Sequence, residues 1–216
     1  MSLHFIGSKH SQAGKSWFIR GAIEYFYQKF EPAIVIDAGA DKLLGQTYNP
    51  KFNNSYNLSF GENRSIIADR LIEIAETGIS VLVKVPAPDN QHFEDWIETI
   101  EIDRLDVPTY YWFVSNGRDR LSPKIGSFFG DRTFIVQNRY FDENLKYLQQ
   151  PSYKSAQQII LPKFGCTPAD SYEIESSKNQ LAHLQTSPDL SILMKSRIYR
   201  FVEAVNEELT RTLVLT

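Results

Sequence analysis

A short apolar run leads into a polar, glycine-containing turn near the start of this chain, and a segment with helical spacing follows directly. The run and the turn read LHFIGSKHSQAGKS over residues 3–16. A turn between a strand and a helix collects unpaired backbone N–H groups at the positive end of the helix dipole. The sequence therefore predicts an anion-binding turn, in which Lys15 reaches terminal phosphates and the Ser16 hydroxyl binds Mg²⁺.

The turn matches the phosphate-binding pattern G-x-x-x-x-G-K-[ST] only in its last three residues. Lys9 stands at the first glycine position, and four residues separate it from Gly14. The alternative interpretation is an ordinary strand-to-helix turn that contains Gly-Lys-Ser by chance. The position of the match, at the first strand–helix junction of the chain, favours phosphate binding.

Composition is that of an ordinary globular protein. The 216 residues are 42% hydrophobic and 23% charged with a net charge of −3, so the global positive charge typical of nucleic-acid binding is absent. The single Cys166 excludes an internal disulfide and fits a reducing compartment. No apolar run approaches the ~20 residues of a membrane span, and charged residues near the N-terminus argue against a signal peptide. We therefore expect a soluble, cytoplasmic protein.

Apolar periodicity alternates between strand and helix along the chain. Strands are predicted at 3–6, 33–37, 80–87, 109–116, 133–138 and 158–162. Helices are predicted at 17–30, 65–77, 91–102, 123–129, 143–148 and 189–213, the last one capped by Ser187 and Pro188. Residues 48–63 are predicted to be irregular, with a short strand at 56–60. The alternation predicts one α/β domain over residues 1–216, with a mainly parallel, twisted sheet and helices on both faces.

Six motifs, taken in order, resemble those of the deviant-Walker ATPases of the ParA/MinD superfamily, and within it the plasmid-mobilisation branch described as MobD-like. The motifs are FIGSKHSQAGKS, VIDAGADK, VLVKVPAP, YWFVSNGRDRL, FIVQNRY and IILPKF, and the resemblance runs from residue 3 to about residue 162. It implies the P-loop NTPase fold, binding of ATP and Mg²⁺, slow ATP hydrolysis and an ATP-dependent homodimer.

The resemblance also implies roles for individual residues. Lys15 and Ser16 would hold the phosphates and Mg²⁺, and Asp37 would position the attacking water and help to hold the metal ion. Asn138 would read adenine through its amide. The implied nucleotide-binding residues are Lys9, His10, Ser11, Gln12, Ala13, Gly14, Lys15, Ser16, Trp17, Asn138, Arg139 and Pro162. The alternative for Asp37 and Asn138 is a role in capping a turn.

One departure from the family pattern concerns the signature lysine, which crosses the dimer interface to the partner's ATP. His10 occupies its position, and Lys9 lies one residue further from Lys15. Either the loop is one residue longer and Lys9 acts as the signature lysine, or the signature lysine is absent and another lysine substitutes for it. Lys146 and Lys154 are the candidates for such a substitute, with solvated surface charge as the alternative.

Two further departures concern the acidic residues of the family. Lys84 stands where the family has the Walker B aspartate, and it would either contact phosphate or pair with Asp37. Gly39 replaces the second acidic residue after Asp37. A cation at position 84 cannot help to hold Mg²⁺, so Mg²⁺-dependent hydrolysis is in doubt more than nucleotide binding is.

The terminal helix is the candidate surface for macromolecular partners. Family members bind non-specific DNA through basic residues near the C-terminus, and the matching residues here are Lys195, Arg197 and Arg200. The same helix carries Glu203, Glu207 and Glu208, so a mixed solvated surface is the alternative. Residues 210–216 are too short and too weakly charged for a membrane-binding tail. The resemblance also implies an adaptor protein of the ParB or McdB type and association with the nucleoid.

Three functions are compatible with these observations. The first is an ATP-dependent dimerisation switch that partitions or mobilises a plasmid, or positions a large cargo such as a carboxysome. The second is a nucleotide-free interaction module that keeps the fold but has lost catalysis and has no ATP turnover. The third is a metabolic enzyme of the dethiobiotin-synthetase type, which transfers a phosphoryl group to a small substrate.

Overall fold

The computed structural model describes residues 1–38, 43–48, 60, 65–87, 90–102, 105–117, 119–140, 157–177 and 179–213. The strands in these ranges are β1 (Leu3–Gly7), β2 (Ala33–Asp37), β3 (Ser80–Lys84), β4 (Thr109–Ser115), β5 (Thr133–Asn138) and β6 (Gln157–Leu161). The α-helices are α1 (Lys15–Gln28), α2 (Leu43–Tyr48), α3 (Ser65–Glu76), α4 (Asn90–Thr99), α5 (Pro123–Phe129), α6 (Pro168–Ser176), α7 (Leu181–Thr186) and α8 (Ile192–Leu213). A short 3-10 turn, Gly130–Arg132, joins α5 to β5.

The strands form one sheet in the order β2-β3-β1-β4-β5-β6, and every neighbouring pair is parallel. The predicted α/β class and parallel sheet are therefore confirmed. Parallel neighbours require crossover connections, and in the described ranges helices lie between β1 and β2, β2 and β3, β3 and β4, and β4 and β5. In the described ranges, no helix is long and apolar enough to cross a membrane.

Two hydrophobic cores lie on opposite faces of the sheet because successive strand residues point to opposite sides. Ile6 and Trp112 belong to the core that includes α1, α7 and α8. Their neighbours Phe5 and Phe113 belong to the core that includes α3, α4 and α5. Helices thus cover both faces of the sheet, which explains why its strands read as nearly continuous apolar runs.

Most predicted elements are present with shifted ends. Helix α1 begins at Lys15, two residues earlier than the periodicity predicts, because Gly14 adopts a left-handed conformation (φ 103°) that turns the chain into the helix. Helix α1 also ends at Gln28, and Phe30 lies beyond it with φ 57° and 95% exposure. Strand β3 ends at Lys84 rather than at residue 87.

Helices α2, α6 and α7 were not expected from the sequence. The start of α8 was also wrong: it begins at Ile192, and the hydroxyl of Ser191, not of Ser187, accepts a hydrogen bond from Met194 N at 3.2 Å. The predicted helix at 143–148, Gly39, Lys146 and Lys154 lie outside the described residues, as does the predicted strand at 56–60 apart from Phe60.

His4 is a buried histidine at the second position of β1. The indole N–H of Trp112 donates to His4 Nδ1 at 3.0 Å. Because an indole N–H can only donate, Nδ1 is unprotonated, and Nε2 carries the proton that it donates to Ser2 Oγ at 2.6 Å. The pKa of His4 is lowered to about 3, mainly by burial and also by the positive charge of the chain's N-terminus.

This buried imidazole predicts an acid-sensitive fold. Between about pH 3 and ~6.5 the unfolded chain protonates His4 and the folded chain does not. The free energy of unfolding should therefore fall, as pH decreases through that window, by about 1.4 kcal/mol per pH unit from this residue. We expect urea unfolding at several pH values to show this slope in the wild type and to lose it in His4→Gln. The exposed His92 provides the control, since His92→Gln should keep the full slope; equal slopes in the wild type and His4→Gln would contradict the assignment.

Candidate functional site

The candidate site lies at the carboxyl edge of the sheet, around the end of β1. Strand β1 lies between β3 and β4, and the chain crosses from β1 toward β2 on one side and later reaches β4 on the other. Open parallel sheets bind ligands in the crevice at such a switch point. The β1–α1 loop, residues 8–14, occupies this crevice and leads into the N-terminus of α1.

Lys15 is the first residue of α1 and is 2% exposed. Its ammonium folds back over the β1–α1 loop and donates to Ser8 Oγ at 2.5 Å and to the carbonyl oxygen of His10 at 3.2 Å. Ser8 Oγ in turn donates to the same His10 carbonyl at 2.6 Å. Both oxygens that accept from Lys15 are neutral, so this buried cation retains an unsatisfied preference for an anion.

The electrostatic environment of Lys15 combines burial with mixed charges. The pKa of Lys15 is lowered to about 8, mainly by burial and also by the nearby cation of Lys84, while Asp37 and Asp119 oppose the shift. At neutral pH the ammonium is still predominantly protonated. The site therefore brings two lysine cations and two carboxylates into one partly desolvated region.

Lys84 and Asp37 form an ion pair at the adjacent strand ends. The register of β2 and β3 sets the two residues opposite each other, and Lys84 Nζ lies 3.1 Å from Asp37 Oδ2. The side chain of Asp37 is fully buried and that of Lys84 is 14% exposed. Of the two partners expected for Lys84, the structure therefore shows Asp37.

The sequence analysis missed Asp119 and Asn90. Asp119 follows β4, is buried, and lies with Oδ1 2.9 Å from His10 Nε2. Burial raises the pKa of Asp119, and the neighbouring His10 and Lys9 oppose that rise. Asn90 Nδ2 donates to the carbonyl oxygen of Ser8 at 2.9 Å. The polar stretch after the fourth strand was the one signal for Asp119, and nothing local indicated Asn90.

Asn138, at the end of β5, holds the β1–α1 loop in place. Its Nδ2 donates to the carbonyl oxygen of Ala13 at 2.8 Å, and its Oδ1 accepts from the backbone N–H of Tyr140 at 3.0 Å. Each group keeps a second hydrogen or lone pair. The structure thus shows a loop-holding role for Asn138, and the reading of adenine stays a prediction.

A cavity of about 490 Å³ opens beside the N-terminus of α1, within the size range of small-molecule sites. Its walls come from the β1–α1 loop, α1, the ends of β5 and β6, α6 and α8. The ring of Trp17 stacks on that of Phe164 with a centroid distance of 4.5 Å. Predicted site residues that line it are Ser11, Gln12, Gly14, Lys15, Ser16, Trp17, Asn138 and Pro162. Lining residues that the sequence analysis missed are Tyr140, Leu161, Phe164, Cys166, Thr167, Ser171, Tyr172, Glu175 and Phe201.

Other predicted residues lie apart from this cavity. Lys9 and Arg139 are exposed, and Ala13 packs into the core that includes α1. In the terminal helix α8, Arg200 is exposed, and Lys195 and Arg197 are half-buried. At about 100° per residue, Arg197 and Arg200 lie within about 60° of each other, and Lys195 lies about 140–160° away from both. The three cations therefore do not form one patch by themselves.

The expected Mg²⁺ site does not fit the residues present. Its two protein ligands would be Ser16 and Asp37, and Asp37 is engaged by the ammonium of Lys84. A lysine cation beside the carboxylate repels a divalent cation and competes for the same oxygen. Across the part of the chain that the structure describes, no cluster of three or more His, Cys, Asp or Glu side chains is arranged to hold a metal ion.

Comparison with known proteins adds no family assignment. No protein-family model matches the chain, and no curated protein matches its sequence significantly.

The contact between Gly14 and Asn138 generates a prediction about stability. A Cβ at Gly14 would lie 2.2 Å from Asn138 Nδ2, at a backbone φ of 103° that L-residues rarely adopt. We expect Gly14→Ala to lower the free energy of unfolding by about 2 kcal/mol, measured by urea unfolding. Gly165→Ala is the matched control because nothing lies within 4 Å of a Cβ there. Equal stability of the two variants would show that the loop tolerates another conformation.

Proposed function

We propose that this chain is an ATP-binding dimerisation switch of the ParA type. ATP would occupy the β1–α1 loop and the adjacent cavity, and the bound nucleotide would favour a face-to-face homodimer. The dimer would engage DNA or an adaptor protein, in the partition or mobilisation of a plasmid or the positioning of a large cargo such as a carboxysome. The six ordered motifs motivate the family assignment, and the geometry of the site supports nucleotide binding.

The observation that carries this proposal is the position of Lys15. A buried ammonium at the N-terminus of a helix, bonded to two neutral oxygens of its own loop, favours an anionic ligand. Phosphate oxygens would replace Ser8 Oγ and the His10 carbonyl as acceptors and would form stronger, charge-assisted hydrogen bonds. Backbone N–H groups at the start of α1 would add further donors.

The cavity supports the nucleoside part of the ligand. It begins at Ser16 and Trp17 and extends past Asn138 and Pro162. Its wall combines aromatic rings with a few polar groups, the composition that suits a base and a sugar. In this proposal the phosphates lie on Lys15, and the base lies among the aromatic side chains.

The macromolecular partners are a further part of the proposal. Arg197 and Arg200 lie on one side of α8 and would contact DNA phosphates after dimerisation. Lys9 is exposed within the β1–α1 loop and is the described residue best located to reach a partner's nucleotide.

A second candidate function is a nucleotide-binding module without turnover. The ion pair of Lys84 with Asp37 favours it, because Asp37 is the residue expected to position the attacking water. Phosphate release measured with saturating ATP and Mg²⁺, with and without DNA, separates the two candidates. Turnover above that of a Lys15→Ala variant supports the switch, and its absence alongside tight ATP binding supports the module.

The first test of nucleotide binding compares two lysines at the opposite ends of α1. Lys15→Ala should lower ATP affinity at least about tenfold in isothermal titration, because it removes a charge-assisted contact to phosphate. It should also abolish any ATP-dependent doubling of mass in light scattering. Lys29, at the opposite end of α1, provides the control, and Lys29→Ala should bind ATP like the wild type. Unchanged affinity in Lys15→Ala would overturn the proposal.

A second test separates the base from the phosphates. Tyr140→Ala should weaken ATP binding about fivefold through lost stacking, and should leave the affinity for inorganic tripolyphosphate unchanged. Tyr140 lines the cavity and is 59% exposed, so its removal should not disturb the core. Tyr199, 54% exposed on α8, is the matched control. Equal losses for both ligands would indicate that the base lies elsewhere.

A further inference from the structure

Lys84 occupies a fixed position beside the β1–α1 loop. Strand β3 pairs with both β1 and β2, so Lys84 is opposite Ile6 on one side and Asp37 on the other. Backbone hydrogen bonds continue past it: Val85 N donates to the Ile6 carbonyl at 2.9 Å, and Ala38 N donates to the Lys84 carbonyl at 3.2 Å. The backbone is therefore held on both sides, and only the flexible side chain of Lys84 can redirect its charge.

The charges around this position suit an anion better than a divalent cation. The ammonium of Lys84 neutralises Asp37, the one carboxylate that was expected to bind Mg²⁺. Its charge also acts on Lys15, which shows that the two ammonium groups belong to the same electrostatic region. A ligand that carries several negative charges would meet two lysines and the N-terminus of α1 together.

We propose that Lys84 takes the place of the divalent cation, so that the site binds a nucleoside polyphosphate as a metal-free anion held between Lys15 and Lys84. This inference rests on the proposed function and deepens it, since it changes the form of the nucleotide that the loop accepts. Asp37 holds the Lys84 ammonium beside the loop and competes with phosphate for it. An ammonium carries three N–H donors, so contact with Asp37 and contact with phosphate can coexist.

The decisive experiment measures ATP affinity of the wild-type protein by isothermal titration, once in EDTA and once in excess MgCl₂. We expect ATP to bind at least as tightly in EDTA as in MgCl₂, because complexation with Mg²⁺ removes negative charge from the ligand. Binding that requires Mg²⁺ would overturn the inference and leave the proposed function intact. Absence of ATP binding in both buffers would overturn both.

Variants of the ion pair distinguish an ammonium site from a metal site. Asp37→Asn removes the carboxylate that competes with phosphate for Lys84, so the affinity for ATP in EDTA should stay the same or rise by about threefold. If Asp37 were instead a metal ligand, the same variant would bind ATP more weakly in MgCl₂. Lys84→Gln should lower affinity in EDTA at least about tenfold. The double variant Asp37→Asn/Lys84→Gln removes both charges of the ion pair together and should bind like Lys84→Gln. Unchanged affinity in EDTA for both Lys84 variants would contradict the proposal.

A matched control lysine comes from another ion pair. Lys124 Nζ lies 2.7 Å from Glu98 Oε2, between α5 and α4 and away from the β1–α1 loop. Lys124→Gln should bind ATP like the wild type in both buffers, which excludes a general effect of removing one positive charge. A loss in Lys124→Gln as large as in Lys84→Gln would show that net charge, and not the position of Lys84, controls affinity.

Discussion

Parallel pairing of every strand is the constraint on which this structure depends, because it brings all the strand carboxyl ends to one edge of the sheet. Residues that are far apart in the chain meet at this edge. Lys15 follows β1, Asp37 and Lys84 end β2 and β3, and Asn138 ends β5. The crossover helices cover both faces of the sheet and leave this edge for polar and charged side chains. Its position, and not any single motif, makes the edge a candidate site.

The buried charges at this edge are costly for folding, which is an argument for their function. Burial of a lysine without an anionic hydrogen-bond partner costs free energy, as the lowered pKa of Lys15 indicates. A buried ion pair such as that of Lys84 and Asp37 also adds little net stability, because desolvation offsets the attraction. A bound polyphosphate would supply the anionic partner that Lys15 lacks. The proposed anion binding would therefore explain a charge arrangement that stability alone does not.

Local sequence signals predicted the strands of the sheet better than the helices and loops that connect or follow them. Alternating residues such as Phe5 and Ile6 face different cores, and the resulting apolar runs were readable as strands. Helix α7 was not predicted because it has six residues, too few to show a helical period. Helix α6 carries a capping box between Thr167 and Asp170, which was a readable signal for its start, but the helix lacks a continuous apolar face. Since α6 forms one wall of the cavity, the cavity could not be predicted from a sequence analysis that did not predict α6.

By itself, the sequence determined the α/β class and the presence of a cation where the family resemblance placed a carboxylate, and it predicted phosphate binding by Lys15 at a strand–helix junction. Local composition and periodicity are sufficient for such conclusions because they concern neighbouring residues. Only the tertiary structure decided that Lys84 pairs with Asp37, that Asn138 holds the β1–α1 loop, and that Asp119 lies against His10. These contacts depend on the order and register of strands that are distant in sequence. No local pattern encodes that register, because it results from packing the whole sheet between its two helical layers.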